Sequence, residues 1–321
     1  MGRKVTRAAI LAAAFLLFLA PAQALDWPTR PVRIVAPSTP GGAADLLARL
    51  LADHLTVLLK QRFYVDNRPG GGGLIGAAFT AHAEPDGYTF VISSIAYHAI
   101  EPAASLNPGF DPMRDATHIA YIGGPPNVFV VNPKLGVHSL AELVALAKRK
   151  SLDFVSPGVG TVGHLLVEEM AHEAGIRLVH VPHKGSAQAM LDLIAGNVMF
   201  GTMTWSSALG QIRAGTVIPI AVSSRRRVAE FPDVPTLAES GYPDLVVRTW
   251  FALSGPAGVS DEIVQKLNHA VGEVLDTPDV KQRLDQDAIE RESMTPAQVT
   301  AFIGSEVAKW GPIAKRYVHA P

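Results

Sequence analysis

The sequence predicts an α/β protein whose largely parallel sheets fall into two halves. Three observations carry that expectation. Short β-rich runs alternate with helical stretches along the chain. Each half holds at least one glycine-rich turn between a strand and a helix. The 321 residues are 48% hydrophobic and 18% charged, a balance that excludes a disordered chain.

The first 24 residues read as an export leader rather than as part of the fold. Arg3, Lys4 and Arg7 form a positive start, Ala8 to Ala20 an apolar stretch, and Ala22-Gln23-Ala24 a small-x-small cleavage site. The stretch is shorter than the roughly 20 apolar residues of a membrane span. Cleavage after Ala24 would leave 297 of the 321 residues, enough for about two domains. Losing three cations would take the formal charge from −1 to −4. That balance gives no electrostatic reason to expect nucleic acid, and Arg225-Arg226-Arg227 reads as a solvated turn. With no cysteine, the chain holds no disulfide, thiolate nucleophile or lipidated cysteine. Export disfavours chemistry that needs cytosolic NAD or ATP.

Val32 to Ala36 reads as the first strand, turning through Pro37-Ser38-Thr39-Pro40-Gly41-Gly42. The helix that follows carries Leu46, Leu47, Leu50, Leu51, Leu55, Leu58 and Leu59 on one expected apolar face. Phe63 to Val65 is the next strand. It ends in Asn67-Arg68-Pro69-Gly70-Gly71-Gly72-Gly73, before a small-residue helix through Ala78. A third strand, Tyr88 to Ile92, is entered through the turn Pro85-Asp86-Gly87.

In the second half Val128 to Val131 is a strand, and Ser139 with Glu142 opens a helix as a capping box. Leu152 to Val155 leads into the turn Ser156-Pro157-Gly158-Val159-Gly160-Thr161, then a helix from about Val162 to Ala174. Strands follow at Leu178 to Val181, Val217 to Val222 and Val246 to Leu253, with a helix opening after Lys184-Gly185-Ser186. The tail from Ser260 is helical and would pack back on the first half. The expected organisation is a leader over 1–24, a discontinuous first domain over 25–125 and 245–321, and a second domain over 126–244. That arrangement suits hinged closure over a ligand.

Three turns, Thr39 to Gly42, Gly70 to Gly73 and Gly158 to Thr161, place backbone N–H groups at helix N-termini with no bulky side chain in the way. Such sites attract anions. Asp45, in the first turn of its helix, suits the positive helix end and can hold loop amides. His164, just past the third turn, is a candidate hydrogen-bonding partner for a ligand. Gly71, Gly73 and Gly76 match G-x-G-x-x-G, but Pro69 interrupts the approach and no acidic residue stands where a nucleotide site needs it. Neither His180 with His183 nor His164 with His172 has carboxylates at metal-ligand spacing. No cofactor, metal or catalytic residue is expected.

The chain resembles the receptors of tripartite tricarboxylate transporters, the Bug proteins. The residues that carry the likeness run from Trp27-Pro28 to about Val318. They include Pro37-x-x-Pro40-Gly41-Gly42-x-x-Asp45, Asn67-Arg68-Pro69-Gly70-Gly71-Gly72-Gly73, Pro85-Asp86-Gly87-Tyr88-Thr89, Val181-Pro182-His183-Lys184-Gly185 and Asp233-Val234-Pro235-Thr236. The resemblance implies a periplasmic, two-lobed binding protein of the Venus flytrap type (type II-like), free of the membrane and monomeric. It implies a di-, tri- or aromatic carboxylate as ligand, for delivery to membrane transporter subunits. Carried over residue by residue, the ligand loops are Ser38, Thr39, Pro40, Gly41 and Gly42 with Gly70, Gly71 and Gly72. In the second domain they are Ser156, Gly158, Thr161, Lys184 and Gly185.

Several residues near the expected cleft depart from the family. Ser93-Ser94-Ile95-Ala96-Tyr97-His98 stands where a run of small polar residues is common. Met203, beside Thr204 and Trp205, stands where many members carry an acid, and Arg248 where small residues are common. A lost acid and an added arginine would favour a more anionic ligand, and Tyr97, His98 and Trp205 an aromatic acid. The alternative is that these side chains face core or solvent. Two other functional classes remain to be weighed. One is a sensing accessory to a membrane kinase. The other is an exported hydrolase, for which the sequence offers no nucleophile elbow.

Overall fold

The structure, a computed structural model, describes residues 26–183, 185–289 and 291–318. The leader over 1–24 and Lys184 therefore lie outside the described residues.

The chain opens with strand β1 (Val32–Ala36) and helix α1 (Ala43–Leu59), followed by β2 (Phe63–Asn67), α2 (Leu74–Ala81) and β3 (Thr89–Ser94). After a π-helical turn over Ala96–Ile100 come α3 (Glu101–Ala104), β4 (Ala116–Gly123) and β5 (Asn127–Val131). The middle of the chain holds α4 (Leu140–Ala147), β6 (Leu152–Ser156), α5 (Val162–Ala174), β7 (Leu178–Pro182) and α6 (Ser186–Ala195). Then follow β8 (Phe200–Thr204), α7 (Trp205–Arg213), β9 (Ile218–Val222), β10 (Phe251–Pro256), α8 (Asp261–Asp276), α9 (Pro278–Gln286) and α10 (Pro296–Tyr317).

Two five-stranded sheets result, in the orders β2-β1-β3-β10-β4 and β7-β6-β8-β5-β9. They are mixed, not largely parallel. β1 pairs parallel with β2 and β3, whereas β10 runs antiparallel to β3 and β4. β6 likewise pairs parallel with β7 and β8, whereas β5 runs antiparallel to β8 and β9. The physical reason is the crossover. β5 enters the second sheet, and β10 re-enters the first, from the edge at which the parallel strands end, so each must run against its neighbours. That shared edge is where parallel α/β strands present their loops.

Other expectations shift in detail. The last crossing strand begins at Phe251 rather than Val246, and Pro126 and Arg248 meet only as an isolated bridge. β4, β8 and α7 were not expected. α1 buries Leu47, Leu51 and Leu55, each stabilising by about 1.5–3 kcal/mol, but Leu46 and Leu58 are exposed. Seven leucines in 14 residues span more of a helix than one sheet can cover. Ser139 caps α4 by accepting from the Glu142 N–H at 3.2 Å, but the Glu142 carboxylate accepts from His138 N–H, one residue before the cap. α8 packs on the first sheet beside α1. α10 touches β4, α3 and α5, and its Arg316 pairs with Glu169 of α5 at 3.0 Å, so the tail spans both lobes rather than returning to the first alone.

Candidate functional site

The first loop ends β1 and opens α1 with no side-chain cap on the helix amides. Those first N–H groups have no partner within the helix and point toward its positive end. Ser38 Oγ is buried beside Gly42 without a hydrogen-bond partner. Asp45 does not face this space. It is 1% exposed, and its carboxylate accepts from Gly41 N–H at 2.8 Å, Arg49 Nε at 3.0 Å and Asn67 Nδ2 at 2.9 Å. Burial pushes its pKa up, but hydrogen bonds from Arg49, Gly41 and Asn67 outweigh that and hold it below the usual carboxylate value. Asn67 Nδ2 also donates to Ser38 O at 3.1 Å, which ties the first loop to the second. Asp45 is a buttress, the bland role open to it in the sequence.

The second loop packs four consecutive positive-φ residues, Gly70 to Gly73, before α2. Only glycine adopts such a run without strain. Gly70, Gly71 and Gly72 are exposed, and again no side chain caps the turn. Gly76, the last glycine of the nucleotide-like pattern, serves close packing instead. A Cβ there would lie 2.9 Å from Arg68 O and 3.1 Å from Pro37 Cα.

Ser93 and Ser94, at the end of β3, are buried. Ser93 Oγ bonds Ala252 O and Ser254 Oγ, at 3.0 and 2.8 Å. Ser254 in turn reaches His118 Nδ1 at 2.9 Å, while His118 Nε2 donates to Pro112 O. Burial lowers the His118 pKa to about 4. His98 packs edge-on to His118 and Phe110 and is buried. Met203 and Trp205 lie in the second-lobe core. These three side chains therefore face inward, as the core alternative has it. Tyr97 is half-buried, with its ring against Gly73, and burial pushes its pKa up to about 12.

The second-lobe turn satisfies itself. Thr161 caps α5, accepting from His164 N–H and donating to Gly158 O at 2.8 Å. Gly160 N–H donates to His164 Nδ1 at 3.3 Å, so His164, 4% exposed, holds the loop from behind. Its ring stacks on His180 at 4.0 Å. Burial, then His164 and His183, lower the His180 pKa to about 3. Ser156 Oγ shares a 2.7 Å bond with Nε2 of the half-buried His180, while Ser156 itself is wholly buried and also bonds Gly158. Gly185 N–H donates to Pro157 O, and Thr204 Oγ1 meets Ser207 Oγ at 2.8 Å. Among the described residues no three metal-ligating side chains cluster.

The two lobes meet at a residue not singled out in the sequence. A Cβ on Gly72 would lie 2.7 Å from Glu101 Oε1, and one on Gly160 would lie 3.0 Å from the same oxygen. The second-loop and Gly158–Thr161 segments thus meet at the Glu101 carboxylate. The available signal was charge. Glu101 is the one Asp, Glu, Lys or Arg between Tyr88 and Phe110. Arg248 stands elsewhere, in a cavity of about 910 Å³ at the lobe junction, with Pro126, Trp205, Arg225, Lys281 and Arg291. None of the glycine loops lines it.

The model of the tripartite tricarboxylate transporter family receptor matches residues 47–318. Protein BugT of Bordetella pertussis is 34% identical over 300 residues, 92% of each chain. The solved R. palustris Rpa4515 with adipate is 34% identical with a TM-score of 0.81, covering 90% of this chain and 98% of that one. MatC of Rhodopseudomonas palustris with bound malate is 27% identical with a TM-score of 0.78, covering 90% of this chain and all of that one. Among the described residues no helix is long and apolar enough to cross a membrane.

Proposed function

The chain belongs to the tripartite tricarboxylate transporter receptor family, and from that premise we propose that it captures a small organic carboxylate between its lobes, unchanged, for membrane transporter subunits. The observation that carries the reading is the pair of uncapped, glycine-led helix starts in the first lobe, with Ser38 Oγ buried and unpartnered beside them. A carboxylate is the group that such N–H donors and a lone hydroxyl recognise. The solved relatives with adipate and malate support the same class. In this reading Ser38 to Gly42 and Gly70 to Gly72 hold one carboxylate. The Gly158–Thr161 segment, Lys184 and Gly185 close over the other end. The domain divisions near 125 and 245, cleavage after Ala24 and a monomeric receptor complete the proposal.

Calorimetric titration against adipate, malate, citrate and benzoate tests it. At least one acid should bind with 1:1 stoichiometry, and no binding across the panel would refute the carboxylate reading. Gly71→Val places a β-branched residue where φ is +56°. It should weaken binding at least 100-fold while leaving the circular dichroism spectrum unchanged. Retained affinity would refute the backbone-donor mechanism.

A further inference from the structure

We propose that the last helix, α10, latches the two lobes, with Arg316 as a positioning residue that holds the closed arrangement through Glu169 without touching the ligand. The inference rests on the carboxylate reading above and adds to it a determinant of affinity outside the cleft. α10 packs on β4, α3 and the π-helical turn of the first lobe, and buries Val299, Ile303, Trp310 and Ala314. It moves with that lobe. Along its length it is also tied to the chain that returns from the second lobe. Trp250 Nε1 donates to Glu306 Oε2 at 3.0 Å, and Lys309 Nζ donates to Asp244 O and Val246 O at 3.0 and 3.2 Å. These bonds pin the helix at a crossover, where a hinge must turn.

The last turn of α10 reaches across to the second lobe. Arg316 Nη1 donates to Glu169 Oε1 at 3.0 Å, and a Cβ on Gly160 would lie 3.7 Å from Val318 Cγ2. Glu169, on α5, is 9% exposed, so its carboxylate is largely withdrawn from water and gains from a charged partner. Arg316 supplies that partner from the other lobe. Seven residues separate Lys309 from Arg316, about 10 Å along the helix. Turning the lobes apart by about 15° at the pin would carry the guanidinium roughly 3 Å away and break the bond. The pair forms as the lobes close, so its free energy adds to the affinity of any ligand that binds with closure.

Calorimetry with adipate, malate, citrate and benzoate provides the test, carried forward with whichever acid binds wild-type protein most tightly. Arg316→Ala should weaken that acid about fivefold, the upper scale of an exposed ion pair. Stopped-flow mixing should place the loss in faster dissociation, since the latch acts after capture. Arg316→Glu should weaken binding further. Combining it with Glu169→Arg reverses the pair and should return affinity to within about twofold of wild type. Unchanged affinity in Arg316→Ala would overturn the latch, and so would a reversed pair that restores nothing. Urea unfolding of the ligand-free protein should differ little between wild type and Arg316→Ala. An equal loss there would also overturn the latch, because the pair would then support the fold in both arrangements. If none of the four acids binds wild-type protein, the carboxylate reading falls and the latch falls with it. If acids bind and only the variants fail to respond, the latch falls alone.

Discussion

The glycine loops of the first lobe and the Ser156–Thr161 turn of the second occupy equivalent places, each between a parallel strand and a helix, yet they are built in opposite ways. In the first lobe no side chain caps the helix starts, Gly41 and Gly70 to Gly72 are exposed, and the supporting groups sit behind them. Asp45 and Asn67 bind the loop, and the exposed Arg49 braces both of them. In the second lobe the turn consumes its own polar groups, through Thr161, Ser156, His164 and His180. Under the proposed function the difference would assign separate tasks, with the first lobe presenting the anion site and the second supplying a wall that closes on it.

Breaking the buttress should have the largest effect. Asp45→Ala leaves Gly41 N–H without its acceptor and takes one of two acceptors from Asn67 Nδ2, and it should destabilise the protein by about 2 to 3 kcal/mol. Binding of the best carboxylate should fall at least 100-fold, because the loop that presents the donors loses its anchor. Urea unfolding and calorimetry measure the two quantities. Stability lost with affinity retained would break the proposed division of labour, since Asp45 would then support the fold but not the site.

Acidity tests the same contrast through the buried His118 and the half-buried His180. The His118 pKa is lowered to about 4 in the folded protein, against about 6.5 when unfolded. The unfolded chain therefore binds the extra proton first as pH falls. Stability contributed by the neutral form is present above pH 6.5 and is lost progressively between 6.5 and about 4. Between pH 7 and pH 5 this histidine alone should cost about 2 kcal/mol. His180, lowered to about 3 mainly by burial, adds loss of the same sign. His118→Gln should flatten part of the unfolding free energy measured from pH 7 to pH 5. An unchanged slope would place the acid sensitivity elsewhere.

The sequence exposed most of the first lobe's chemistry because that chemistry is local. Strand, glycine turn and helix follow one another within a few residues, so Gly41, Gly42 and Gly70 to Gly72 stood out by composition and order. Helix 162–174 with its Thr161 turn was legible for the same reason. What stayed hidden depends on partners far along the chain. β8 reads as Phe-Gly-Thr-Met-Thr, with no marked alternation, and becomes a strand by lying between β6 and β5. The antiparallel β5 and β10 follow from two crossovers, which no periodicity encodes. The hydrogen bond of Ser93 to Ser254, 161 positions away across the sheet, has no signal in the sequence. Glu101 gained its place from Gly72 and Gly160, which reach it from different lobes.

The smallest expected effect comes from the second-lobe wall. Thr161 Oγ1 caps α5 and bonds Gly158 O, and the N–H groups of Gly158, Gly160 and Thr161 all donate within the turn and its helix. Thr161→Ala removes one helix cap and should lower stability by about 1 kcal/mol. If the wall only closes, carboxylate affinity should fall by no more than about threefold, the share of that cost that reaches the closed state. If the turn instead contributes directional hydrogen bonds to the ligand, loss of the hydroxyl should cost tenfold or more in affinity. The ratio of affinity loss to stability loss, measured beside Asp45→Ala, separates the two. A ratio as large as that of Asp45→Ala would make the lobes equal partners in recognition. A small one leaves recognition with the first-lobe amides and restricts the second lobe to enclosing what they hold.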